Sequence, residues 1–77
     1  MSIDPPNLIG SDIRAIRKAR GLSQRRLAVL AGIRRATLSD IETGKRTGKL
    51  ETLRAISEAM ELRLCDLLDH DRVKNLV

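Results

Sequence analysis

The amino-acid sequence predicts an all-α fold, a compact bundle of about five short helices. Three observations support this prediction. The 77 residues contain no phenylalanine, tyrosine or tryptophan, and the apolar residues lack the alternation that is typical of strands. Isoleucines and leucines instead recur at helical spacing along the chain. Glycines follow these segments at the positions where helices commonly end.

The first predicted helix follows a short leader. Residues 1–7 are expected to be flexible, because the consecutive prolines Pro5-Pro6 disfavour helix before them. The helix itself is expected at about residues 8–20, with Gly21 ending it. Its apolar stripe consists of Ile9, Ile13 and Ile16.

Two further short helices are expected around a glycine turn, at about residues 23–42. Ser23 is a candidate N-cap for the first of them, because its hydroxyl can accept a hydrogen bond from a free backbone N–H of the first turn. Gly32 follows at the position where a left-handed residue commonly ends a helix. The second helix of the pair is expected at about residues 35–43 and stops at Gly44.

The rest of the chain predicts a loop, a fourth helix and a segment with two interpretations. Residues 50–60 carry apolar side chains at helical spacing, which are expected to face the core: Leu50, Leu53, Ile56 and Met60. Residues 62–68 are interpreted either as a fifth helix from about Leu64 or as a short strand that pairs across a dimer. The domain is therefore placed at residues 8–69, with a C-terminal tail at 70–77 that frays or extends the fifth helix.

The charge distribution favours a polyanion as partner. Lysine and arginine number 15 against 10 aspartates and glutamates, which gives a formal net charge of +5. The positive side chains concentrate before Ala55, and the balance beyond that residue turns slightly acidic. Such a distribution is typical of nucleic-acid binders. The lack of aromatic residues disfavours RNA-binding modules that stack bases on aromatic rings.

The sequence predicts no enzyme, no cofactor and no metal site. Its one cysteine and one histidine, Cys65 and His70, lie near the end of the chain without the partners that nucleophilic catalysis needs. Cys65 is expected to be a small buried side chain in a reducing compartment. His70 lies between Asp69 and Asp71, but adjacent residues do not easily converge on one metal ion. With no signal peptide or membrane span apparent, we expect a cytoplasmic, nucleoid-associated protein without membrane contact.

The expected third helix has two different faces. At about 100° per residue, Leu38 and Ile41 point to one side. The other side carries small or hydrogen-bonding side chains, namely Arg35, Ala36, Ser39, Asp40 and Thr43. The major groove of DNA accommodates a slim helix with such a face. We therefore interpret residues 35–43 as a recognition helix.

Five side chains at this helix are candidates for contacts with base edges. Arg35 is the first, because a guanidinium can bind guanine O6 and N7 bidentately, with phosphate contact as the alternative. Arg34 precedes the helix and contacts either a base or the backbone. Ala36 suits a thymine methyl group, and Ser39 suits a base or a phosphate. Asp40 either accepts from cytosine N4 or pairs with an arginine.

These segments together resemble the lambda-repressor/Cro-type (XRE) family of helix-turn-helix proteins, which implies a lambda-repressor-like fold and DNA binding. The resemblance covers about residues 10–68 and includes Ile13, Arg17, Gly21-Leu22-Ser23-Gln24, Leu27-Ala28, Gly32-Ile33, Leu38, Ile41-Glu42, Gly44, Leu50-Glu51-Thr52-Leu53 and Leu67-Leu68. Arg34 departs from the family by standing where a small capping residue is usual. Gly48 stands where proline is frequent, which predicts a looser loop that orders on DNA.

The resemblance also implies roles for single residues. Arg17 is expected to form a structural ion pair with Glu42, with a direct phosphate contact by Arg17 as the alternative; a charge that leans toward the core needs a partner. Gln24, at the first position of the second helix, is expected to contact a DNA phosphate beside the free N–H groups there. Independently of the resemblance, the polar end of the recognition helix and the basic loop after it predict phosphate contacts by Thr43, Lys45 and Arg46.

The expected function is sequence-specific binding of double-stranded DNA by a homodimer that acts as a transcriptional regulator, most simply a repressor. Two-fold symmetry then predicts a pseudo-palindromic operator with half-sites about 34 Å apart. The alternatives are an antitoxin of HipB type that neutralises a partner toxin and represses its own operon, a restriction–modification controller protein, and a non-specific nucleoid-associated protein.

Overall fold

Residues 8–77 are described by a computed structural model, and helices joined by turns and loops are the regular secondary structure of this range. The helices are Leu8–Ala19 (α1), Gln24–Ala31 (α2), Arg35–Thr43 (α3), Leu50–Ala59 (α4), Leu64–Leu68 (α5) and His70–Leu76 (α6). The predicted all-α fold is confirmed, with one helix more than expected. The expected leader, residues 1–7, lies outside the described residues. None of the helices between residues 8 and 77 has the length and apolar character needed to cross a bilayer.

The core forms where the apolar faces of the helices converge. Helix α1 packs against α3 and α6, and α2 packs against α3 and α4. The expected stripe of α1 contributes Ile13 and Ile16, both fully buried, while Ile9 is half-buried at the edge. The other helices add fully or nearly fully buried side chains: Leu27, Ala28, Leu38, Ile41, Leu53, Ile56, Met60, Leu67 and Val73.

The helix termini follow the local sequence closely. Ser23 caps α2, since its hydroxyl accepts from the backbone N–H of Arg26 at 3.0 Å. Helices α1, α2 and α3 are each followed by a glycine with positive φ, as expected. Helix α4 differs, because the equivalent position after it is Glu61, with φ of 63°. There the N–H groups of Glu61 and Leu62 donate to the carbonyls of Glu58 and Ser57, as in a Schellman motif.

The segment at residues 62–68 forms a helix and not a dimer-pairing strand. Helix α5 occupies Leu64–Leu68, with Leu67 fully buried against the core. The apolar alternation at the start of the segment reflects two half-buried leucines, Leu62 and Leu64, at the edge of the core. The strand interpretation was therefore wrong for this chain.

Residues expected to form a tail instead build the sixth helix. Asp69 interrupts the helical backbone and caps α6, accepting from the N–H of Arg72 at 3.2 Å. Val73 is 2% exposed and belongs to the core cluster. Val73 thus adds apolar area to the core where α6 contacts α1 and α5.

Two side chains lie on the opposite side from the one expected. Leu50 was expected to face the core but is 65% exposed, since it occupies the first position of α4, where the helix enters from the loop. Cys65 was expected to be buried but is exposed, because Leu64 and Leu67 take the inward positions of the short helix α5. Spacing along one helix did not reveal where the neighbouring helices end.

Candidate nucleic-acid interface

Helix α3 separates into a buried and an exposed face as the sequence predicts. Leu38 and Ile41 are almost fully buried and attach the helix to the core. All five candidate base-contacting residues lie on the accessible side: Arg34, Arg35 and Ala36 are exposed, and Ser39 and Asp40 are half-buried. Among residues 8–77, this outward face is accessible to a ligand along the helix.

The turn between α2 and α3 is fixed by backbone hydrogen bonds. Gly32 adopts φ of 72°, and its N–H donates to the carbonyl of Val29 at 3.1 Å. The N–H of Ile33 donates to the carbonyl of Ala28 at 3.0 Å, and the Ile33 side chain packs against the core. These contacts set the angle between the two helices of the motif before any ligand binds.

The N-terminus of α3 is open. Arg34 is extended, with φ of −75° and ψ of 145°, and its side chain makes no capping hydrogen bond. This agrees with the expectation that arginine replaces a capping residue here. The positive end of the helix dipole thus lies beside two exposed guanidinium groups, those of Arg34 and Arg35. The site is strongly attractive for anions.

A shallow concave surface joins the start of α2 to the outer face of α3. It is lined by Gln24, Arg35, Ala36 and Ser39. The structure therefore brings the expected phosphate-contacting glutamine together with three of the expected base-contacting residues, although they lie on different helices. A strand of DNA backbone beside a major groove would present phosphate and base edges to this surface at once.

A buried polar network lies directly behind this surface. Arg17 Nε donates to Glu42 Oε2 at 2.8 Å, and Arg17 Nη2 donates to Oε1 at 3.1 Å. The side chains of Arg17 and Glu42 are only 9% and 2% exposed. Arg17 Nη1 also donates to the carbonyl of Leu22 at 2.8 Å. The expected pair thus links α1 to the last turn of α3, and its burial leaves the guanidinium little access to a phosphate.

Sequence reasoning missed the third member of this network. Gln24 Nε2 donates to Glu42 Oε1 at 3.0 Å, so one amide hydrogen is already engaged. The remaining N–H and the amide carbonyl are the groups left for a phosphate contact. No sequence signal indicated this contact, because Gln24 and Glu42 lie on separate helices and meet only when α2 and α3 pack.

The C-terminal end of α3 is tied to the loop that follows it. The backbone N–H groups of Lys45 and Arg46 donate to the carbonyl of Asp40, at 2.9 and 3.2 Å. The Arg46 guanidinium also lies 3.9 Å from the Asp40 carboxylate, which is the arginine pairing considered as one role for Asp40. Thr43 Oγ1 donates to the carbonyl of Ser39 at 2.9 Å, so its oxygen remains an acceptor. Lys45 is exposed.

The loop approaches the core at Gly48, the position where the departure from the family pattern predicts a looser loop. Gly48 has φ of +80° and is half-buried. Proline cannot occupy this backbone conformation, because its ring restricts φ to about −65°. A Cβ at Gly48 would lie 3.1 Å from Ile41 Cδ1 and 3.4 Å from Leu53 Cδ2. Glycine in place of the frequent proline thus goes together with a backbone conformation at residue 48 that proline cannot adopt.

The histidine, considered at first beside its two acidic neighbours, instead faces another helix. His70 Nδ1 lies 2.9 Å from both carboxylate oxygens of Asp12 in α1. Asp12 is 5% exposed, so this contact gives a buried carboxylate its partner and attaches α6 to α1. Within residues 8–77, histidine, cysteine and acidic side chains nowhere form a group of three that could hold a metal ion.

The chain is similar to known helix-turn-helix proteins. The model of a family described as helix-turn-helix matches residues 13–67. The HTH-type transcriptional regulator SlrR of Bacillus subtilis is 38% identical over 63 residues, covering 80% of this chain and 41% of SlrR. The chain therefore spans about two-fifths of the length of this relative.

Two solved structures share the arrangement of helices. The restriction-modification controller protein C.AhdI from Aeromonas hydrophila has a TM-score of 0.78 and 31% identity, covering 80% of this chain and 94% of C.AhdI. The master regulator for biofilm formation SinR of Bacillus subtilis, solved in complex with DNA, has a TM-score of 0.74 and 34% identity. That match covers 79% of this chain and 98% of SinR as solved.

Proposed function

The chain belongs to the helix-turn-helix family, and from this premise we propose that it binds double-stranded DNA sequence-specifically, as a homodimeric regulator of transcription and most simply a repressor. One observation carries the proposal. Helix α3 presents its arginine and most of its small or polar side chains on one accessible face, while Leu38, Ile41 and the paired Glu42 are buried on the other. The solved complex of SinR with DNA supports the choice of ligand.

Sequence readout is assigned to the N-terminal part of the outward face. Arg35 donates bidentately to guanine, and Arg34 contacts a neighbouring base or the backbone. Ala36 contacts a thymine methyl group, and Ser39 donates to a base or a phosphate. Asp40 lies within reach of Arg46 at 3.9 Å, so it helps to orient that arginine unless a cytosine N4 group replaces it.

Phosphate contacts are assigned to both sides of the recognition helix. Gln24 and the open N-terminal turn of α2 bind backbone on one side. Thr43, Lys45 and Arg46 bind backbone on the other side, where the hydrogen bonds to Asp40 fix the loop. These contacts give affinity without sequence preference, and the formal charge of +5 makes the affinity salt-dependent.

We place the dimer contact on α4, α5 and the turn between them, in what we call the leucine surface: Leu50, Leu62, Leu64 and Leu68. Leu50 and Leu68 are 65% and 50% exposed. A groove of about 420 Å³ runs between the first three of them and is bordered by Glu51, Glu58, Arg54 and Arg63. Charges of both signs around an apolar centre suit a two-fold contact, in which each patch meets its own copy. The hydrogen bond to Asp66 raises the pKa of Arg63.

A two-fold dimer places two recognition helices in successive major grooves, about 34 Å apart. The operator is then pseudo-palindromic, and occupancy blocks other proteins from the same DNA. This role requires neither catalysis nor a cofactor, and it assigns the protein to the cytoplasm, on the nucleoid.

A restriction–modification controller protein is the second candidate. It is favoured by the similarity to C.AhdI, 94% of which is covered by the match. The two candidates share one binding mode and differ in the genes beside the operator.

The experiment that tests the proposal is selection from a random duplex pool at near-physiological salt, followed by sequencing. We expect a two-fold symmetric motif whose half-sites are one helical turn apart. Binding without an enriched motif, with steep loss of affinity as salt rises, would leave only a non-specific DNA-binding protein. Absence of binding, together with a co-purifying protein, would favour the antitoxin alternative.

A further inference from the structure

The first turn of α1 lies unusually close to the last turn of α3. A Cβ built on Gly10 would overlap the carbonyl oxygen of Ile41 and lie 3.0 Å from its carbonyl carbon. It would also lie 3.2 Å from the carbonyl carbon of Glu42. These are backbone atoms, so a side-chain rotation cannot relieve the overlap. Only glycine allows the two helices to approach this closely at this point.

The same face of α1 contacts the same end of α3 a second time. Arg17 lies about two helical turns after Gly10 and therefore on the same side of α1. Its guanidinium donates to the Glu42 carboxylate at 2.8 Å. The backbone contact at Gly10 and the ion pair at Arg17 thus join α1 to the last turn of α3 at two points.

A second glycine meets Ile41 from the loop. A Cβ on Gly48 would lie 3.1 Å from Ile41 Cδ1 and 3.4 Å from Cγ1. Ile41 is therefore contacted through its carbonyl by α1 and through its side chain by the loop. The adjacent carbonyl, that of Asp40, accepts from the N–H groups of Lys45 and Arg46. A shift of this turn would move both the recognition helix and the start of the basic loop.

We propose that Gly10 is a positioning residue for DNA recognition, acting through the backbone of Ile41 and Glu42, with Gly48 supporting the same turn from the other side. The close approach sets the position of the outward face of α3 relative to α2. It also sets where Lys45 and Arg46 lie relative to that face. The effect on DNA recognition rests on the proposed function, whereas the effect of Gly10 on the position of α3 does not.

The test compares Gly10→Ala with Gly21→Ala. Gly21 has φ of +71° and no heavy atom within 4 Å of an added Cβ, so alanine there strains the backbone without touching α3. Both variants should lose thermal stability. Gly10→Ala should also lower the ratio of affinities for the selected operator and random DNA by about fivefold or more, which is the lower range for one bidentate base contact. An unchanged ratio in Gly10→Ala, as in Gly21→Ala, would show that Gly10 serves packing alone.

A second readout does not need DNA. Amide hydrogen exchange of Lys45 and Arg46 reports on their bonds to the Asp40 carbonyl. Measured relative to core amides of the same sample, this exchange should accelerate about tenfold in Gly10→Ala and stay unchanged in Gly21→Ala. Unchanged exchange in both variants would overturn the geometric part. If wild-type protein fails to bind DNA, the proposed function is refuted and the exchange comparison still decides the geometry.

Gly48→Ala provides a second test of the contact at Ile41 if Gly10→Ala does not fold. Its backbone strain matches that of Gly21→Ala, since φ is +80° and +71° at the two positions. The variants differ in that only residue 48 contacts Ile41. Faster exchange at Lys45 and a lower affinity ratio in Gly48→Ala alone would support the proposal. Identical behaviour of the two variants would contradict it.

Discussion

Two ion pairs of the same residue types lie in different surroundings in the two halves of the bundle. One is Arg17–Glu42 in the N-terminal half, and the other is Arg54–Glu58 in the C-terminal half. The first pair joins α1 to α3 at 2.8 Å, with side chains 9% and 2% exposed. The second joins neighbouring turns of α4 at 3.6 Å, with side chains 71% and 69% exposed. Burial, and not the presence of an ion pair, decides how strongly each half depends on its charges.

The two halves also present different surfaces. Helix α3 and the first turn of α2 expose arginines and small or polar side chains, although the end of α2 also exposes Val29 and Leu30. Helices α4 and α5 expose leucines bordered by charges of both signs. The basic and polar surface of the first half suits a polyanion as partner. The leucine surface of the second half suits a second copy of the chain. Each half therefore has substitutions that should affect it alone.

Loss of the buried carboxylate should have the largest effect. In Glu42→Ala the Arg17 guanidinium stays buried without its partner, and we expect a loss of about 3–5 kcal/mol in the free energy of unfolding. For a domain of this size, such a loss is a large part of the total free energy of unfolding. Glu58→Ala is the matched control and should change stability by less than about 1 kcal/mol. Urea unfolding of both variants measures the difference, and equal small losses would remove the contrast between the halves.

Next in size is a charge on the leucine surface. Leu50→Glu should weaken the dimer at least tenfold, because the buried leucine contact contributes about 1.5 kcal/mol or more. Val29→Glu is the control, since Val29 is 66% exposed on α2 and Leu50 65% exposed on α4. Sedimentation equilibrium should show weakened association for the first variant only. Weakened association for Val29→Glu alone would move the dimer contact to α2.

At the recognition surface, Arg35→Ala should reduce discrimination by about 1–3 kcal/mol at one or two base pairs. Lys45→Ala should weaken binding to all sequences alike and make the salt slope shallower by about one unit. Titrations of the selected operator and its point mutants at several salt concentrations separate the two effects. Uniform weakening by Arg35→Ala would reassign that guanidinium to a phosphate.

The smallest expected effect concerns the end of α4. Glu61 adopts the left-handed conformation that glycine provides after α1, α2 and α3. Glu61→Gly should stabilise the domain by about 0.5–1 kcal/mol, because the steric cost of a Cβ at positive φ disappears. This corresponds to a rise in Tm of about 3–6 °C. A lower Tm would indicate that the Glu61 side chain makes a stabilising contact that outweighs the strain.

The local sequence determined most of the secondary structure. Ser23 begins α2, and the glycines at 21, 32 and 44 follow the first three helices, because caps and left-handed residues act through bonds within a few residues. The two faces of α3 follow from helical periodicity in the same way, as do the candidate contacts at Arg34, Arg35 and Ser39.

Only the tertiary structure decided which distant groups meet. Three contacts join residues that are far apart in the chain. They are the hydrogen bond from the Gln24 amide to Glu42, the contact of His70 with Asp12, and the close approach of Gly10 to the backbone of Ile41. The exposure of Leu50 and the inclusion of Val73 in the core also depend on where neighbouring helices end. Periodicity specifies the direction of a side chain from its own helix axis, whereas contact depends on the distance and crossing of two axes. Packing of the whole core sets these quantities, so the sequence of a single helix does not contain them.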